Sequence, residues 1–344
     1  MVLLNLWQRG KCHISDKRLI RNNLILTGVG LFVLLAFGMF LGIFLGPTNI
    51  SFSDFLDVVL YGQQGPNSVI IWVIRAPRVV AAILVGIALG VSGVMIQLST
   101  RNPLGDPHIF GIAGGASVVQ ALVLSGVITT SGVGRFGWAV FGALLGSVFI
   151  SLMSSRKDIG QAKLALIGIS VSAMSVAVSV GILVHSRVFT QQSLVFISGS
   201  FANRGWHEVM SSLPFILFGI MLSVLVSGRL NILSLGDEIA SNLGSSPERT
   251  RVIAIATAAV LSGSAVAIGG LIGFVGLLTP YIARLFVGND SRLLTLFSAP
   301  IGAIVVLYAD QVARLFFMPS EIPVGMVTTF IGAPLMIFIA RRIL

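Results

Sequence analysis

The sequence predicts an all-α integral membrane protein, a polytopic bundle of about ten transmembrane helices. The first observation is compositional: 55% of the residues are hydrophobic, only 10% are charged, and the mean hydropathy is +0.99, whereas about 25% of a soluble domain is charged. The second is that apolar runs of about 20 residues, the length that crosses the hydrocarbon layer, recur along the chain. These observations exclude a water-soluble fold and a disordered chain, which requires low hydrophobicity.

Each apolar run lies between charged residues or Pro- and Gly-rich breaks and predicts one membrane span. The predicted spans are 24–46, 79–98, 109–127, 136–155, 164–184, 212–228, 252–268, 271–287, 293–313 and 323–340. The seventh and eighth spans are separated only by Gly269-Gly270. We interpret residues 1–344 as a single transmembrane domain, with an N-terminal segment at 1–23 and a long connection at 229–251.

The basic residues orient the spans. With the N-terminus in the cytoplasm, sixteen of the 22 Lys and Arg residues fall on the cytoplasmic side and six on the outside, as the positive-inside rule requires. Both termini, the 1–23 segment and the 229–251 connection are therefore predicted to be cytoplasmic. Merging the seventh and eighth spans would move Arg284 and Arg292 outside and weaken this bias. The same bias accounts for the net charge of +10, so nucleic acid is not predicted as a partner.

Motifs for enzymatic or metal chemistry are absent from the sequence. It contains no G-x-x-x-x-G-K-[ST] phosphate loop, no H-E-x-x-H and no G-x-S-x-G. Cys12 is the only cysteine, so an internal disulfide is excluded. The histidines occur singly, and no metal site is predicted from His13, His108, His185 and His207. The first apolar run is too long for a signal peptide and is expected to be retained as a span.

Glycine spacing predicts a tightly packed bundle. Several spans carry glycines four residues apart, which lie on one helix face and let two backbones approach: Gly38/Gly42/Gly46, Gly86/Gly90, Gly111/Gly115 and Gly142/Gly146. A short echo links two regions, because Arg78-Val-Val-Ala is followed by Ser92-Gly93 and Arg251-Val-Ile-Ala by Ser262-Gly263. On the predicted topology these copies enter the membrane from opposite sides, as in the inverted repeats of transporters.

The 229–251 connection has the pattern of a small helical element. Leu235, Ile239 and Leu243 are four residues apart, and Gly236 and Gly244 bracket them, which predicts a short amphipathic helix. Ser245-Ser246-Pro247-Glu248 then offers a second helix start with proline at an early position. We expect two short helices joined at Gly244. They would either lie on the bilayer surface or form a docking face for a motor protein.

Ionisable residues are rare inside the predicted spans. Asp310, near the outer end of the ninth span, precedes Arg314 by four residues, which is the favourable orientation for a helical ion pair. We predict a helix-end ion pair between them, as an anchor or as a functional element. Because the spans contain no acidic relay, an ion-coupled carrier is disfavoured and the energy source is expected to be another protein.

Several motifs in order give the chain a family resemblance. They are Arg75-Ala-Pro-Arg78, Gly93-Val-Met-Ile-Gln97, Asn102-Pro-Leu-Gly-Asp-Pro107, Leu233-Ser-Leu-Gly-Asp-Glu-Ile-Ala240, Ile272-Gly-Phe-Val-Gly-Leu-Leu-Thr-Pro-Tyr-Ile-Ala-Arg284, Ala309-Asp-Gln-Val-Ala-Arg314, Glu321-Ile-Pro-Val-Gly325 and Gly332-Ala-Pro334. From Arg75 to the C-terminus the chain resembles the permease subunits of bacterial ABC importers for ferric siderophores, haem and cobalamin. Tyr281 and Gly105 depart from the histidine and alanine that the family commonly has there.

The resemblance implies a subunit of the bacterial cytoplasmic membrane that pairs with a second permease subunit, identical or not. It also implies two cytoplasmic ATPase subunits, which bind Mg-ATP, and an extracytoplasmic binding protein; this chain itself is expected to bind no cofactor. The implied docking residues are Arg75, Arg78 and Arg314. The implied ATPase-coupling residues are Leu235, Gly236, Asp237, Glu238, Leu243 and Gly244. The implied pathway or gate residues are Gln97, Asn102, Pro103, Gln161, Ala162 and Pro280.

The resemblance therefore implies an importer permease without enzymatic activity, with a ferric siderophore as the expected substrate. Haem and cobalamin stay open as alternatives within the family. An ion-coupled secondary carrier is the alternative from another class, and a membrane enzyme is the third. ATP dependence of transport distinguishes the importer permease from the ion-coupled carrier. Turnover of a lipid or chelate by the purified chain alone would favour the membrane enzyme.

Overall fold

The computed structural model of the chain is a bundle of helices. It describes residues 16–46, 48, 50–154, 161–186, 196–316, 318 and 320–343, with the side chains of 16–23, 154, 161, 162 and 339–343 left out of the description. The helices are α1 (Asp16–Phe44), α2 (Phe52–Leu60), α3 (Pro66–Thr100), α4 (Ile112–Leu124), α5 (Val133–Ser154), α6 (Gln161–His185), α7 (Trp206–Leu233), α8 (Asp237–Asn242), α9 (Pro247–Gly269), α10 (Val275–Val287), α11 (Ser291–Leu315) and α12 (Val324–Ile343). No β-strand occurs in these ranges.

The predicted all-α membrane fold is confirmed, and every predicted span overlaps a helix. In the described part of the chain, seven helices are long and apolar enough to cross a membrane, and they belong to α1, α3, α5, α6, α7, α9 and α11. Shorter apolar helices occur at Ile112–Leu124, Val275–Val287 and Val324–Phe338. The separation of the seventh and eighth spans is also confirmed, since α9 ends at Gly269 and Gly270 adopts a left-handed backbone with φ of 74°.

Two predicted spans are shorter than expected. α4 and α10 contain 13 residues each, or about 20 Å at 1.5 Å per residue, whereas the hydrocarbon layer is about 30 Å thick. Non-helical segments at 101–111 and 270–274 precede them and carry buried residues such as Asp106, Phe110 and Ile272. Irregular backbone of this kind is tolerated at membrane depth only when protein surrounds it.

The second span begins earlier than predicted. The sequence places its start at 79, after Pro77, but α3 begins at Pro66 and runs through the proline. A π-helical turn at Ile70–Arg75 precedes Pro77, and the Ala76 amide bonds to the Ile71 carbonyl five residues back. In a regular helix, proline removes one backbone hydrogen bond and its ring clashes with the carbonyl four residues back. The wider π-helical turn makes room for the ring and so accommodates Pro77. Arg75 and Arg78 consequently lie inside a helix and not in a loop.

Close backbone contacts place α3 at the centre of the bundle. A Cβ added at Gly86 would overlap the Gly302 carbonyl of α11, one at Gly90 would meet the Ser298 carbonyl, and one at Gly93 would overlap the Gly276 carbonyl of α10. The glycine spacing in α3 thus serves packing, as predicted, because no other residue allows this approach.

The sequence echo corresponds to two helices in equivalent settings. α3 and α9 are the most buried of the membrane-length helices, with 78% and 83% of their apolar windows buried. They run antiparallel, since Arg251 at the start of α9 donates a hydrogen bond from Nε to the carbonyl of Ser99 at the end of α3, at 3.0 Å. Each is followed by a non-helical segment and a 13-residue helix. This arrangement is the one expected of an inverted repeat.

The α3–α10 contact can be tested with Gly93→Ala. The added methyl group has no room against the Gly276 backbone, so we expect a loss of about 1–3 kcal/mol of stability, typical of overpacking. Thermal unfolding of the purified chain measures it. Gly181→Ala in α6 is the control, because a Cβ there meets no atom within 4 Å. Equal unfolding temperatures for both variants would contradict the packing described here.

Candidate functional site

The connection between α7 and α9 carries the short helix α8. Gly236 and Gly244 flank it with φ of 116° and 76°, a backbone region that glycine adopts without steric cost. Ala240 faces the bundle and is fully buried, whereas Leu235, Ile239 and Leu243 are 56%, 49% and 60% exposed. The apolar side chains predicted from the spacing therefore form a surface that nothing in the described chain covers.

The boundaries and the helix count of this connection differ from the prediction. α7 continues to Leu233 and α9 begins at Pro247, so the non-helical residues are 234–236 and 243–246. The expected second short helix is the first turn of α9, with Pro247 at its N-terminus. The predicted helix start at Pro247 is confirmed, but the charged residues Glu248, Arg249 and Arg251 hid its continuity with the following apolar run.

Asp237 ties α8 to the bundle. Its Oδ1 accepts hydrogen bonds from Arg101 Nη2 at 2.6 Å and from Arg251 Nη2 at 3.2 Å. Arg101 Nη2 also donates to the carbonyl of Leu233 at 2.6 Å. Asp237 thereby connects α8 with the ends of α3 and α7 and with the start of α9. Its side chain is 50% exposed, so the contacts fix position more than they stabilise the fold.

Neither arginine partner of Asp237 was among the predicted site residues. Both belong to the sixteen basic residues on the predicted cytoplasmic side. The sequence did contain a signal for their proximity, because Arg101 follows the second predicted span and Arg251 precedes the seventh, and these are the two spans linked by the sequence echo. Arg101 also adopts a left-handed backbone with φ of 52°, which no sequence pattern indicated.

In the N-terminal half of α3, Arg78 lies between two carboxylates. It contacts Asp310 of α11 at 2.8 Å and Glu321, in the segment before α12, at 2.9 Å. The Nε and Nη2 groups both donate to Asp310, a two-pronged geometry that strengthens the pair. The predicted ion pair between Asp310 and Arg314 is wrong: i,i+4 spacing brings the two close, but Asp310 is taken by Arg78.

Arg75 and Arg314 bind the end of α1. Arg75 Nη1 donates to the carbonyls of Ile43 and Phe44 at 2.6 and 2.8 Å, and Arg314 Nη2 donates to the carbonyl of Gly42 at 2.9 Å. The last carbonyls of a helix have no partner within it and carry partial negative charge. Both arginines supply the missing donors and the matching charge.

The three predicted docking arginines are thus engaged within their own chain. Arg75, Arg78 and Arg314 are only 3%, 8% and 3% exposed. Their role in docking a binding protein stays a prediction, and it would require these contacts to open. Glu321, 30% exposed at its side chain, is the acidic group of the cluster nearest to solvent.

The predicted pathway residues are spread over several settings. Gln97 is buried in α3 and accepts a hydrogen bond at Oε1 from Arg284 Nη1 of α10 at 2.7 Å. Asn102 caps the turn after α3, with Oδ1 accepting the amide of Leu104 at 2.9 Å. Pro103 is exposed and Pro280 is buried within α10. Their pathway role stays a prediction.

The predicted gate loop falls largely outside the description. α6 begins at Gln161, and the side chains of Gln161 and Ala162 and the loop before them lie outside the described residues. Their assignment as gate residues stays a prediction.

A buried carboxylate that the sequence analysis passed over lies in the segment between α3 and α4. Asp106 is 1% exposed, and its Oδ1 accepts the backbone amide of His108 at 2.7 Å. A Cβ at Gly276, in the first turn of α10, would meet Asp106 Oδ2 at 2.9 Å. The carboxylate thus lies at a helix N-terminus, where the helix dipole favours negative charge. Among the described residues no group of three metal-ligating side chains occurs.

Comparison with known proteins decides the family. A model of the FecCD transport family matches residues 34–342. The chain belongs to the FecCD transport family. It is 34% identical over 330 residues to the Fe(3+)-citrate import system permease protein YfmD of Bacillus subtilis (strain 168), covering 95% of this chain and 98% of that protein.

Two further comparisons agree with this assignment. The vitamin B12 import system permease protein BtuC of Vibrio cholerae serotype O1 is 36% identical over 275 residues, 79% of this chain and 83% of that protein. A solved structure described as an inward-facing, metal-chelate-type ABC transporter has a TM-score of 0.76 at 29% identity, covering 91% of this chain and 98% of that chain. The predicted family and fold are confirmed, and this FecCD protein is a multi-pass ABC importer permease of the cell membrane.

The buried pair of Arg78 and Asp310 can be tested by a double-mutant cycle. Arg78→Met leaves Asp310, 3% exposed at its side chain, without its cation, and breaking such a pair costs about 3–5 kcal/mol. Arg78→Met with Asp310→Leu removes both charges, and we expect most of the stability to return.

Thermal unfolding of the purified chain measures the cycle, with Arg249→Met, an exposed arginine, as the control. If Arg78→Met unfolded at the same temperature as Arg249→Met, the pair would not stabilise the fold.

Proposed function

We propose that this permease imports a ferric siderophore, driven by two ATPase subunits that bind Mg-ATP on its cytoplasmic face. A second permease subunit, identical or not, completes the pathway, and an extracytoplasmic binding protein delivers the chelate. Both chain termini and α8 lie in the cytoplasm in this proposal. The names of relatives for ferric citrate, hydroxamate and siderophores support an iron chelate.

The observation that carries the proposal is the geometry of α8. The exposed side chains of Ile239 in α8 and of the flanking Leu235 and Leu243 form an apolar surface outside the bundle, while Asp237 fixes α8 to three longer helices. Exposed apolar surface rimmed by charge is typical of a protein interaction site. A nucleotide-driven movement of a docked partner would therefore pass through α8 to α3, α7 and α9 as a rigid-body displacement.

The described spans contain little that would hold a coupling ion. Of the two buried carboxylates described above, Asp310 is neutralised by Arg78, and Asp106 lies in the non-helical segment before α4, where it accepts the backbone amide of His108. Arg284 donates to the side-chain amide oxygen of Gln97. Proton- and sodium-coupled carriers use acidic groups inside the membrane that are free to exchange the ion. This favours an external energy source over ion coupling.

Uptake by cells that lack the gene, with and without the restored gene, tests the substrate. Radiolabelled iron on a panel of siderophores, haem and labelled cobalamin are compared before and after ATP depletion. We expect loss of uptake for one ferric siderophore, restored by the gene and abolished by ATP depletion. Restored uptake of haem or cobalamin alone would contradict the siderophore assignment. Uptake that survives ATP depletion but not collapse of the ion gradient would contradict the importer.

Asp237→Lys tests whether α8 transmits the movement of a docked partner to the bundle. The lysine would face Arg101 and Arg251, so repulsion replaces both ion pairs and α8 detaches from its base. Coupling free energies of about 1–3 kcal/mol correspond to roughly 5- to 150-fold changes, and we expect transport per ATP hydrolysed to fall within that range. Gly244→Pro should act alike, because proline cannot adopt the φ of 76° found at Gly244.

The complete importer, reconstituted in vesicles, gives both transport and ATP hydrolysis. Glu248→Lys, an equal charge reversal at an exposed position of α9, is the matched control and should keep coupling intact. Full transport by both Asp237→Lys and Gly244→Pro would refute the proposal that α8 transmits the movement of a docked partner.

A further inference from the structure

A groove of about 560 Å³ lies between α7 and α11, with Val91 of α3 among its lining residues. One end is at Gly228 and Arg292, beside the end of α7 and the start of α11, where the Ser291 amide bonds to Asn231 Oδ1 at 2.6 Å. The lining continues along both helices to Ile220 and Ala299, about 12 Å at 1.5 Å per residue. The groove therefore extends from the helix ends towards the membrane interior.

The walls of the groove are effectively apolar. Val224, Leu225 and Leu296 form its lips and are 61%, 66% and 65% exposed. Its hydroxyl groups are already satisfied, because Ser223, Ser227 and Thr295 each donate to a carbonyl of their own helix at 2.7 Å. A polar chelate would find few hydrogen-bond partners here, whereas a hydrocarbon chain would bury its surface at no cost in unpaired groups.

The end of the groove near the helix ends carries a cation. The guanidinium of Arg292 lines the groove and forms no hydrogen bond or ion pair with the described residues. It lies against α7 at Gly228, where a Cβ would approach Nη2 to 2.9 Å. Arg292 stands in the first turn of α11, a position where the helix dipole disfavours a cation. Helix formation therefore does not account for it.

The nearest acid does not neutralise Arg292 by direct contact. Asp290 Oδ1 accepts the backbone amides of Arg292 and Leu293 at 2.8 and 3.2 Å and caps α11. Burial alone would raise the pKa of Asp290, but these amides, the Asn231 amide and the charge of Arg292 lower it overall. Asp290 is thus an ionised cap, and the guanidinium beside it keeps its own donors for another partner.

We propose that this groove binds an anionic phospholipid, with one acyl chain between α7 and α11 and the headgroup phosphate on Arg292. The apolar walls, the cation at the helix ends and the opening towards the bilayer together match the shape and charge of such a lipid. Basic residues at the membrane surface attract anionic lipids with about 1 kcal/mol each, and guanidinium pairs with phosphate in a two-pronged geometry. The proposal does not depend on the transported substrate.

Native mass spectrometry of the purified full-length chain tests this site, with phosphatidylglycerol and phosphatidylcholine titrated onto delipidated protein. We expect phosphatidylglycerol to bind more tightly, and Arg292→Gln to weaken that binding about five-fold without affecting phosphatidylcholine. Gly228→Leu, which fills the end of the groove, should weaken both lipids. The matched control is Arg229→Gln, one residue further along α7 and exposed but outside the groove, and it should change neither.

Four results would overturn the proposal. The first is equal binding of the two lipids, and the second is an equal loss in Arg229→Gln and Arg292→Gln. The third is displacement of the lipid by glycerol 3-phosphate alone, which would show a phosphate site without a chain site. The fourth is a disulfide between two copies carrying Leu296→Cys, made in a Cys12→Ser background, which would show that a second permease copy covers the groove.

Discussion

The structure depends on the close contact between the backbone of α3 and the backbones of α10 and α11. Glycines at 86, 90 and 93 allow that contact, and in a membrane, where helices gain little from hydrophobic burial, such contact is a main source of association. It fixes the position of α3 against α10 and α11 over residues 86–93. The register brings Arg78 opposite Asp310 at one end and Gln97 opposite Arg284 near the other.

The two ends of α3 differ in how their charges are held. At one end Arg75 and Arg78 are buried and bound to α1, Asp310 and Glu321, and breaking such contacts is costly. At the other end Arg101 and Asp237 are partly exposed, and pairs of that kind contribute about 1 kcal/mol or less. Strong contacts near Arg78 and weak contacts near Arg101 suit a helix that is held in place on one side of the bundle and displaced from the other. The contacts of Arg75 and Arg78 and the contacts of Asp237 with Arg101 therefore have different physical roles, although both sets include ion pairs.

Much of the fold follows from hydropathy, because a span is a property of about 20 consecutive residues. The approximate positions of ten apolar helices, the break at Gly269-Gly270 and the helix start at Pro247 follow from the sequence. The half-length helices α4 and α10 were not, since apolar residues in the buried segments before them read like more helix. The partners of charged groups were also not predicted. Asp310 forms its ion pair with Arg78, 232 residues away in sequence, and not with Arg314. Such choices depend on tertiary register, which a single sequence does not encode in any local pattern.

The central claim is that α8 is a cytoplasmic element through which a partner moves the bundle, and the side of the membrane on which α8 lies decides it most directly. A membrane-impermeant thiol reagent applied to intact cells can read that side from single cysteines in a Cys12→Ser background. Leu243→Cys reports on α8 and Tyr61→Cys on the segment after α2; the native residues are 60% and 80% exposed. We expect Tyr61→Cys to react in intact cells and Leu243→Cys to react only after permeabilisation. Reaction of Leu243→Cys in intact cells would contradict it.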